Sequence, residues 1–354
     1  MLATKITLYI FSFIAILSVL LPFVKKDFWI FRVFDYPRLQ KFTIIGILAS
    51  CWFVFFRESK FWLDLSIMIF LSLAFFYLLY LILPFTFLGK TMIDRVSGKG
   101  KTTINLLVAN IYQYNNKHSK LLDLVKKRNP DIVFLVETDD NWLDGVKELR
   151  KEYPHCIEIP KENTYGLLFY SRLPLKSYEI NYFIDPEIPS IIADIEFDGQ
   201  IVRIYGLHPT PPVPQENEHS TDRDAEILLI GKMAKEFEGP CLVIGDLNDV
   251  AWSYTTKLFL KLSELLDPRR GRGMYSTFHA KYALLRWPLD HYFVSSHFRL
   301  VDMKVEKNIG SDHFPISICL LISHKDDEDK MKADEEDVKL AEEKIEAGIT
   351  NTPQ

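Results

Sequence analysis

Three uncharged runs in the first hundred residues limit what this chain can fold into. Residues 6–24 hold nineteen positions without a charge, residues 42–56 fifteen and residues 65–89 twenty-five. As helices rising about 1.5 Å per residue, the first would span about 28 Å, close to the thickness of a bilayer's hydrocarbon core. The second reaches only about 22 Å, the length of a short span or a re-entrant segment. The third is long enough to cross with tilt. A cleaved signal peptide fits the first run less well, because its apolar stretch exceeds the usual one and no A-x-A-like site precedes Lys25 and Lys26. Residues 1–101 therefore read as a membrane anchor with two or three transmembrane helices, which makes the chain a multi-pass membrane protein.

Charge divides along the same line. Residues 1–101 carry 12 basic and 5 acidic groups, residues 102–323 carry 25 and 31, and residues 324–354 carry 5 and 11, so the overall −5 is an average. If all three segments cross, nine Lys/Arg share a side with residues 102–323, against Lys5, Arg57 and Lys60 on the other. The positive-inside rule then places residues 102–323 in the cytoplasm. If the second segment does not cross, the counts are seven against five and the bias reverses. The four cysteines form no CxxC or Cys/His metal spacing.

From residue 102 the pattern changes to short apolar runs separated by amphipathic helical stretches. Runs at 104–109, 131–137, 165–171, 190–197, 200–208, 240–246, 290–295, 300–307 and 314–322 predict strands by length and β-branched content. Residues 119–128, 221–236 and 255–266 predict helices. This is one layered α/β domain.

Polar residues stand at the ends of these runs: Asn110, Glu137, His208, Asp246, Asn248, Asp290, Asp312 and His313. Singly, each is an ordinary turn or surface residue. Together they point to a site, since adjacent strand ends converge in space and loops there carry function. Carboxylates with an amide oxygen and no cysteine suit Mg²⁺, Mn²⁺ or Ca²⁺. Two histidines beside carboxylates suit proton transfer or stabilisation of a phosphoryl group. No GxSxG, Walker A, GxGxxG or HExxH pattern occurs. Metal-assisted attack of water on phosphorus is the reaction that most needs this set.

The ordered set Asn110, FLVETDD with Glu137, LHPTPP with His208, GDLN at 245–248, LDH at 289–291 and SDHFP at 311–315 resembles the endonuclease/exonuclease/phosphatase superfamily over residues 103–323. It is most similar to the bacterial membrane-attached branch. The resemblance implies a four-layer α/β/β/α sandwich with two packed mixed sheets and the site at one end. It implies Glu137 as the principal ligand of Mg²⁺ or Mn²⁺, with Asn110 and Asp312 completing the metal region. Asp246 would orient or deprotonate water, and Asn248 would hold a phosphate oxygen. Asp290 would fix His313 facing the phosphoryl group, and His208 would serve the leaving oxygen.

Substrate-binding elements are less defined. Arg223, Arg269, Arg270 and Arg272 are candidate phosphate contacts, each with a plainer reading as a surface ion pair or solvated turn. The domain's net −6 argues against strong general DNA binding. The expected function is a membrane-anchored, divalent-metal-dependent phosphodiesterase or nuclease-like hydrolase. Its substrate would be nucleic acid, or alternatively a phospholipid or lipid-linked phosphoester. A non-catalytic membrane scaffold is the competing class, and no protein partner is indicated. Residues 324–354 read as a charged acidic extension, disordered or partly helical.

Overall fold

The computed structural model describes residues 2–24, 26–56, 59, 61–323 and 330–351. Lys25, Arg57 and Lys60, which enter the topology count, lie outside the described residues. Three helices are long and apolar enough to cross a membrane: α1 (Leu2–Leu20), α3 (Arg38–Phe56) and α4 (Trp62–Ile82). The short α2 (Trp29–Arg32) lies between the first two. The second apolar segment is longer than its uncharged run, because the helix begins at Arg38 and spans about 28 Å. Its two cations are both engaged there. Arg38 pairs with Asp35 at 2.9 Å, and Lys41 Nζ donates to the carbonyls of Ser18 and Phe34.

Ala15, Ile45, Trp52 and Leu71 pack where the three helices meet, and Trp52 Nε1 donates to Ser12 Oγ at 2.9 Å. Phe13, Ile47, Phe55 and Phe76 point outward and are exposed. An apolar surface of this kind needs a non-aqueous neighbour. Lys5 meets Asp64 at 2.6 Å, so α1 and α4 start at one end of the bundle. The α1–α3 connector and the segment following α4 consequently share the opposite end.

Residues 104–322 form two mixed sheets. The first holds β1 (Ile104–Asn110), β2 (Ile132–Val136), β3 (His155–Ile159), β4 (Leu167–Ser171), β10 (Phe298–Val305) and β11 (Ile316–Ile322), in the order β10-β11-β1-β2-β4-β3. The second runs β5-β6-β7-β8-β9, formed by Leu175–Asn181, Ser190–Phe197, Gln200–Leu207, Cys241–Asp246 and Asp290–Val294. Their inner faces interlock through residues such as Val108, Phe134, Ile204 and Ile244. Helices α5 (His118–Arg128) and α6 (Asp140–Val146) cover the first sheet through Leu121, Val125 and Trp142. Helices α7 (Thr221–Glu236) and α8 (Tyr254–Ser263) cover the second through Leu228 and Phe259. The result is the α/β/β/α sandwich. Central strands such as β2 are buried on both faces, which explains their unbroken apolar sequence. β3 and β5, absent from the sequence reading, are edge strands, and β5 carries little buried surface to betray it.

The charged C-terminal segment contains α9 (Glu335–Asn351), which packs on α7 and α8. Ala341 is buried there, and Lys344 Nζ contacts both Asp27 at 2.9 Å and Asp224 at 3.1 Å. The α1–α3 connector docks on the sandwich as well. Trp29 N donates to Glu218 O, Ser220 N to Asp27 O and Trp252 Nε1 to Asp35 O. After α4, Pro84 O accepts from Gly271 N at 2.8 Å.

Candidate active site

Pairing register brings the polar strand ends to one edge. β1 and β2 run parallel with Asn110 opposite Val136, so Glu137 emerges beside Asn110. The antiparallel pairing of β1 with β11 brings residues just before Ile316 to the same place. Ser311 Oγ donates to Asn110 O at 2.9 Å and accepts from His313 N at 2.9 Å. In the second sheet Asp246 pairs directly with Asp290, and parallel β7 ends at Leu207, just before His208. Gly245 makes this approach possible: its φ is +135°, and a Cβ there would stand 2.0 Å from Leu207 O.

The two sheets contribute to a single network. Asn110 Nδ2 donates to Glu137 Oε1 at 2.6 Å and to Asp246 Oδ2 at 3.0 Å. His313 Nδ1 lies 2.8 Å from Asp290 Oδ2, and its Nε2 lies 3.5 Å from Asp246 Oδ2. Asn248 N donates to Asp246 Oδ1, while its side-chain amide donates to Pro209 O. Glu137 and Asn248 both have positive φ, 61° and 49°, so their backbones are held in a strained region at the site. Ligand atoms of Asp246, Asp290 and His313 all lie within 4.8 Å of one another.

The electrostatics separate the two histidines. Burial opposes charge on His313, but Asp290 and Asp246 outweigh it and raise the imidazole to about 10. Burial pushes Asp290 up, against the pull of His313 beside it. His208 is also buried, and with less compensation it falls to about 4 and is neutral near pH 7. Burial pushes Glu137 up to about 7, with Asp312 and Asp246 adding to the rise against His313 and Asn110.

Glu137, Asn248, Asp312 and His313 border an open cleft of about 460 Å³. Among the described residues lining it there is no Lys or Arg. Oxygen donors of Glu137, Asp246 and Asp312 around a cleft with only His313 for positive charge fit a hard divalent cation. Asp290 and His313 fit less well as ligands, because each already occupies the other.

The arginines are elsewhere. Arg269 is fully buried between Asp267 and His291 Nδ1. Arg270 stacks over Phe85, and Arg272 donates to Ile93 O, both within the segment that follows α4. Gly271 and its neighbours thus bind the segment that follows α4, so the structure does not bring this loop's guanidinium groups to the cleft. Arg223 is close but buried beneath the site, pairing with Asp224 at 2.7 Å and donating to Asn248 O at 2.7 Å. It supports the GDLN turn.

Residues missing from the sequence reading complete the surroundings. Thr277 Oγ1 accepts from Asp290 N, Phe278 packs on the His313 ring, and Tyr36 OH donates to Asn248 O at 2.8 Å. Ser311 is part of SDHFP and was within reach of sequence reasoning. Tyr36 has no local signal, because it lies far from the site motifs in sequence, between α1 and α3.

The sequence profile described as the Endonuclease/Exonuclease/phosphatase family matches residues 102–313. No curated protein sequence matches the chain. Among solved structures, D. rerio TDP2 complexed with a single-strand DNA product is 17% identical, with a TM-score of 0.52 over 62% of this chain and 98% of its own. The endonuclease/exonuclease/phosphatase protein from Bacteroides vulgatus is 18% identical, with a TM-score of 0.51 over 63% and 100%. One from Bacteroides thetaiotaomicron is 16% identical, with a TM-score of 0.50 over 63% and 98%. At these identities the likeness is one of fold, and the profile carries the assignment: the chain belongs to the endonuclease/exonuclease/phosphatase family.

Proposed function

We propose that this protein is a membrane-anchored, Mg²⁺- or Mn²⁺-dependent phosphodiesterase in which water attacks phosphorus. The observation that carries this reading is the Asn110 amide, which joins Glu137 and Asp246 across the two sheets beside His313, whose ring lies between Asp290 and Asp246. Glu137 and Asp312 would hold the cation, which when bound supplies charge neutralisation at the phosphate oxygens. Asn110, its Nδ2 donating to Glu137 and Asp246 and its Oδ1 accepting from Tyr112 N, positions the carboxylates rather than serving as the ligand its place in the sequence implied.

Asp246 orients the attacking water and takes its proton, with Asn110 and Asn248 N fixing the carboxylate's two oxygens. His313, held by Asp290, offers an imidazolium to the extra negative charge of the pentavalent state. His208 is neutral, so its part is to donate a hydrogen bond to the leaving oxygen rather than to act as a strong acid. Asn248 contacts a phosphate oxygen by the amide face not used on Pro209.

The shared end of the α1–α3 connector and the post-α4 segment supports three crossings, with residues 102–323 in the cytoplasm. The test uses full-length protein in nanodiscs with bis(p-nitrophenyl) phosphate. Hydrolysis is expected only with a divalent cation. Hydrolysis persisting in excess chelator, or unchanged in Asp246→Ala, would refute the mechanism.

A further inference from the structure

The cleft is not built from the sandwich alone. Its lining combines Glu137, Asp312 and His313 with Val33, Leu285 and Trp287, and Val33 belongs to the α1–α3 connector. Pro37, also in the lining, immediately precedes Arg38, where α3 begins. One side of the cleft therefore stands a single residue from a helix long and apolar enough to cross a membrane.

A second contact fixes this relation. Gln40 Nε2, in the first turn of α3, donates to Leu284 O at 2.8 Å and ties the loop carrying Leu284 and Leu285 to the helix. Leu284 is 83% exposed and Leu285 49%. Two adjacent exposed leucines beside the end of a spanning helix lie where acyl chains and headgroups meet, and exposed apolar surface there has a neighbour to cover it. The cleft thus joins an anion-handling end to an apolar wall that opens toward the bilayer.

The lining also discriminates between substrate classes. A nucleic-acid backbone is held chiefly by Lys and Arg. Among the described residues that line this cleft neither occurs, and most of its surface is apolar. We infer that the substrate is an amphipathic phosphoester drawn from the membrane, its phosphate at His313 and a long aliphatic chain lying against Val33, Leu285 and Trp287. This rests on the hydrolytic reading for the chemistry, and adds the substrate class and the wall that selects it.

The test uses full-length protein in dioleoylphosphatidylcholine nanodiscs with p-nitrophenyl alkyl phosphodiesters bearing ethyl, octyl or hexadecyl chains. Water's oxygen bonds to phosphorus and the bond to the p-nitrophenolate oxygen breaks. One proton remains on the alkyl phosphate and the other goes to the phenolate or solvent. Burying two of the six added methylenes already corresponds to about tenfold, so kcat/KM should rise at least that much from ethyl to octyl. Val33→Asp and Leu285→Asp should lower the octyl-to-ethyl ratio severalfold. Partitioning into the nanodisc is common to all variants, so an undiminished ratio in both overturns the inference, as does a flat chain series in the unaltered protein.

A diazirine-bearing hexadecyl phosphonate gives a readout that needs no hydrolysis. Labelling is expected at residues 33–37 and 284–287, and its absence there overturns the inference even if ethyl ester is cleaved. Labelling without any cleavage would instead refute the hydrolytic reading and leave the wall intact. Competition by dioleoylphosphatidylglycerol or by a polyprenyl phosphate identifies the chain's source. Competition by a single-stranded oligodeoxynucleotide alone overturns the proposal.

Discussion

The Tyr36 hydroxyl donates to the main-chain carbonyl of Asn248 at 2.8 Å, linking the segment between two anchor helices to the GDLN turn of the site. Arg223 Nη1 donates to the same carbonyl and also lies 3.3 Å from the Tyr36 oxygen. The turn is thus held from below by α7 and from the side by the anchor. Tyr36→Phe keeps the ring against Trp287 and removes only the hydroxyl. A hydrogen bond of this kind contributes about 1 kcal/mol, so kcat on bis(p-nitrophenyl) phosphate should fall about three- to tenfold with a small change in Tm. Unchanged kcat would show that the anchor does not position the turn.

His313 and Asp290 form the buried pair behind the proposed phosphoryl position, 2.8 Å apart. His313→Ala should lower kcat about 10²- to 10⁴-fold. Asp290→Asn should also lower it, because it removes the negative charge that outweighs burial and keeps the imidazole charged. Circular dichroism should report native secondary structure in both. A loss below tenfold in His313→Ala would remove this residue from the chemistry.

Glu226 supplies a pH prediction away from the site. It is buried on α7 in contact with Ser190 at the start of β6, and burial pushes its carboxyl up to about 7. Its folded-state pKa exceeds the unfolded one, so the folded protein binds more protons between these values. Its stabilising contribution is fully present below about pH 4.5 and is lost as pH rises through about 7. The cost at pH 8 is on the order of 3 kcal/mol. Glu226→Gln should raise Tm at pH 8 and leave it little changed at pH 4.5, as measured by thermal melts of detergent-solubilised protein. An equal shift at both pH values would mean that the carboxyl titrates normally in the fold.

Helix α9 contacts α7 closely, and a Cβ added at Gly348 would stand 2.3 Å from Ala225 Cβ. Gly348→Leu should therefore displace the helix, costing about 1–3 kcal/mol and lowering Tm by several degrees. A full-strength Tm in this variant would indicate that α9 adds nothing to the folded state.

The shared end of the α1–α3 connector and the post-α4 segment makes a definite topological expectation. A reporter fused after residue 101 should read as cytoplasmic, and one inserted between α3 and α4 as lying across the membrane. The same side for both would mean that α4 does not cross.

The sandwich was legible in the sequence because its central strands are buried on both faces and read as unbroken apolar runs. The site was legible for a related reason. Asn110, Glu137, Asp246 and Asp312 interrupt or end such runs, where a polar residue has few uses in packing. Pairing register then did what the sequence could only suggest, putting Asp246 opposite Asp290.

Other features were hidden for physical reasons. The three arginines of residues 269–272 resembled a phosphate grip, yet one is buried against Asp267 and the other two serve the post-α4 segment. Charge dominated the reading of the C-terminal segment and masked a narrow stripe. Ala341, Ile345 and Gly348 recur at helical spacing among its acidic residues, with Leu340 packed beside them.

A wall contributed by Val33, Tyr36 and Pro37 has a practical meaning for anyone who expresses this protein. Cutting the chain at residue 101 looks like trimming a handle from a finished head, since every residue proposed for the chemistry lies beyond the cut. It would also remove one flank of the cleft and a brace of the GDLN turn. The severed head could retain its chemistry on small esters while losing the means to choose among natural ones. Screening that head for substrates would therefore interrogate a cleft with one flank missing.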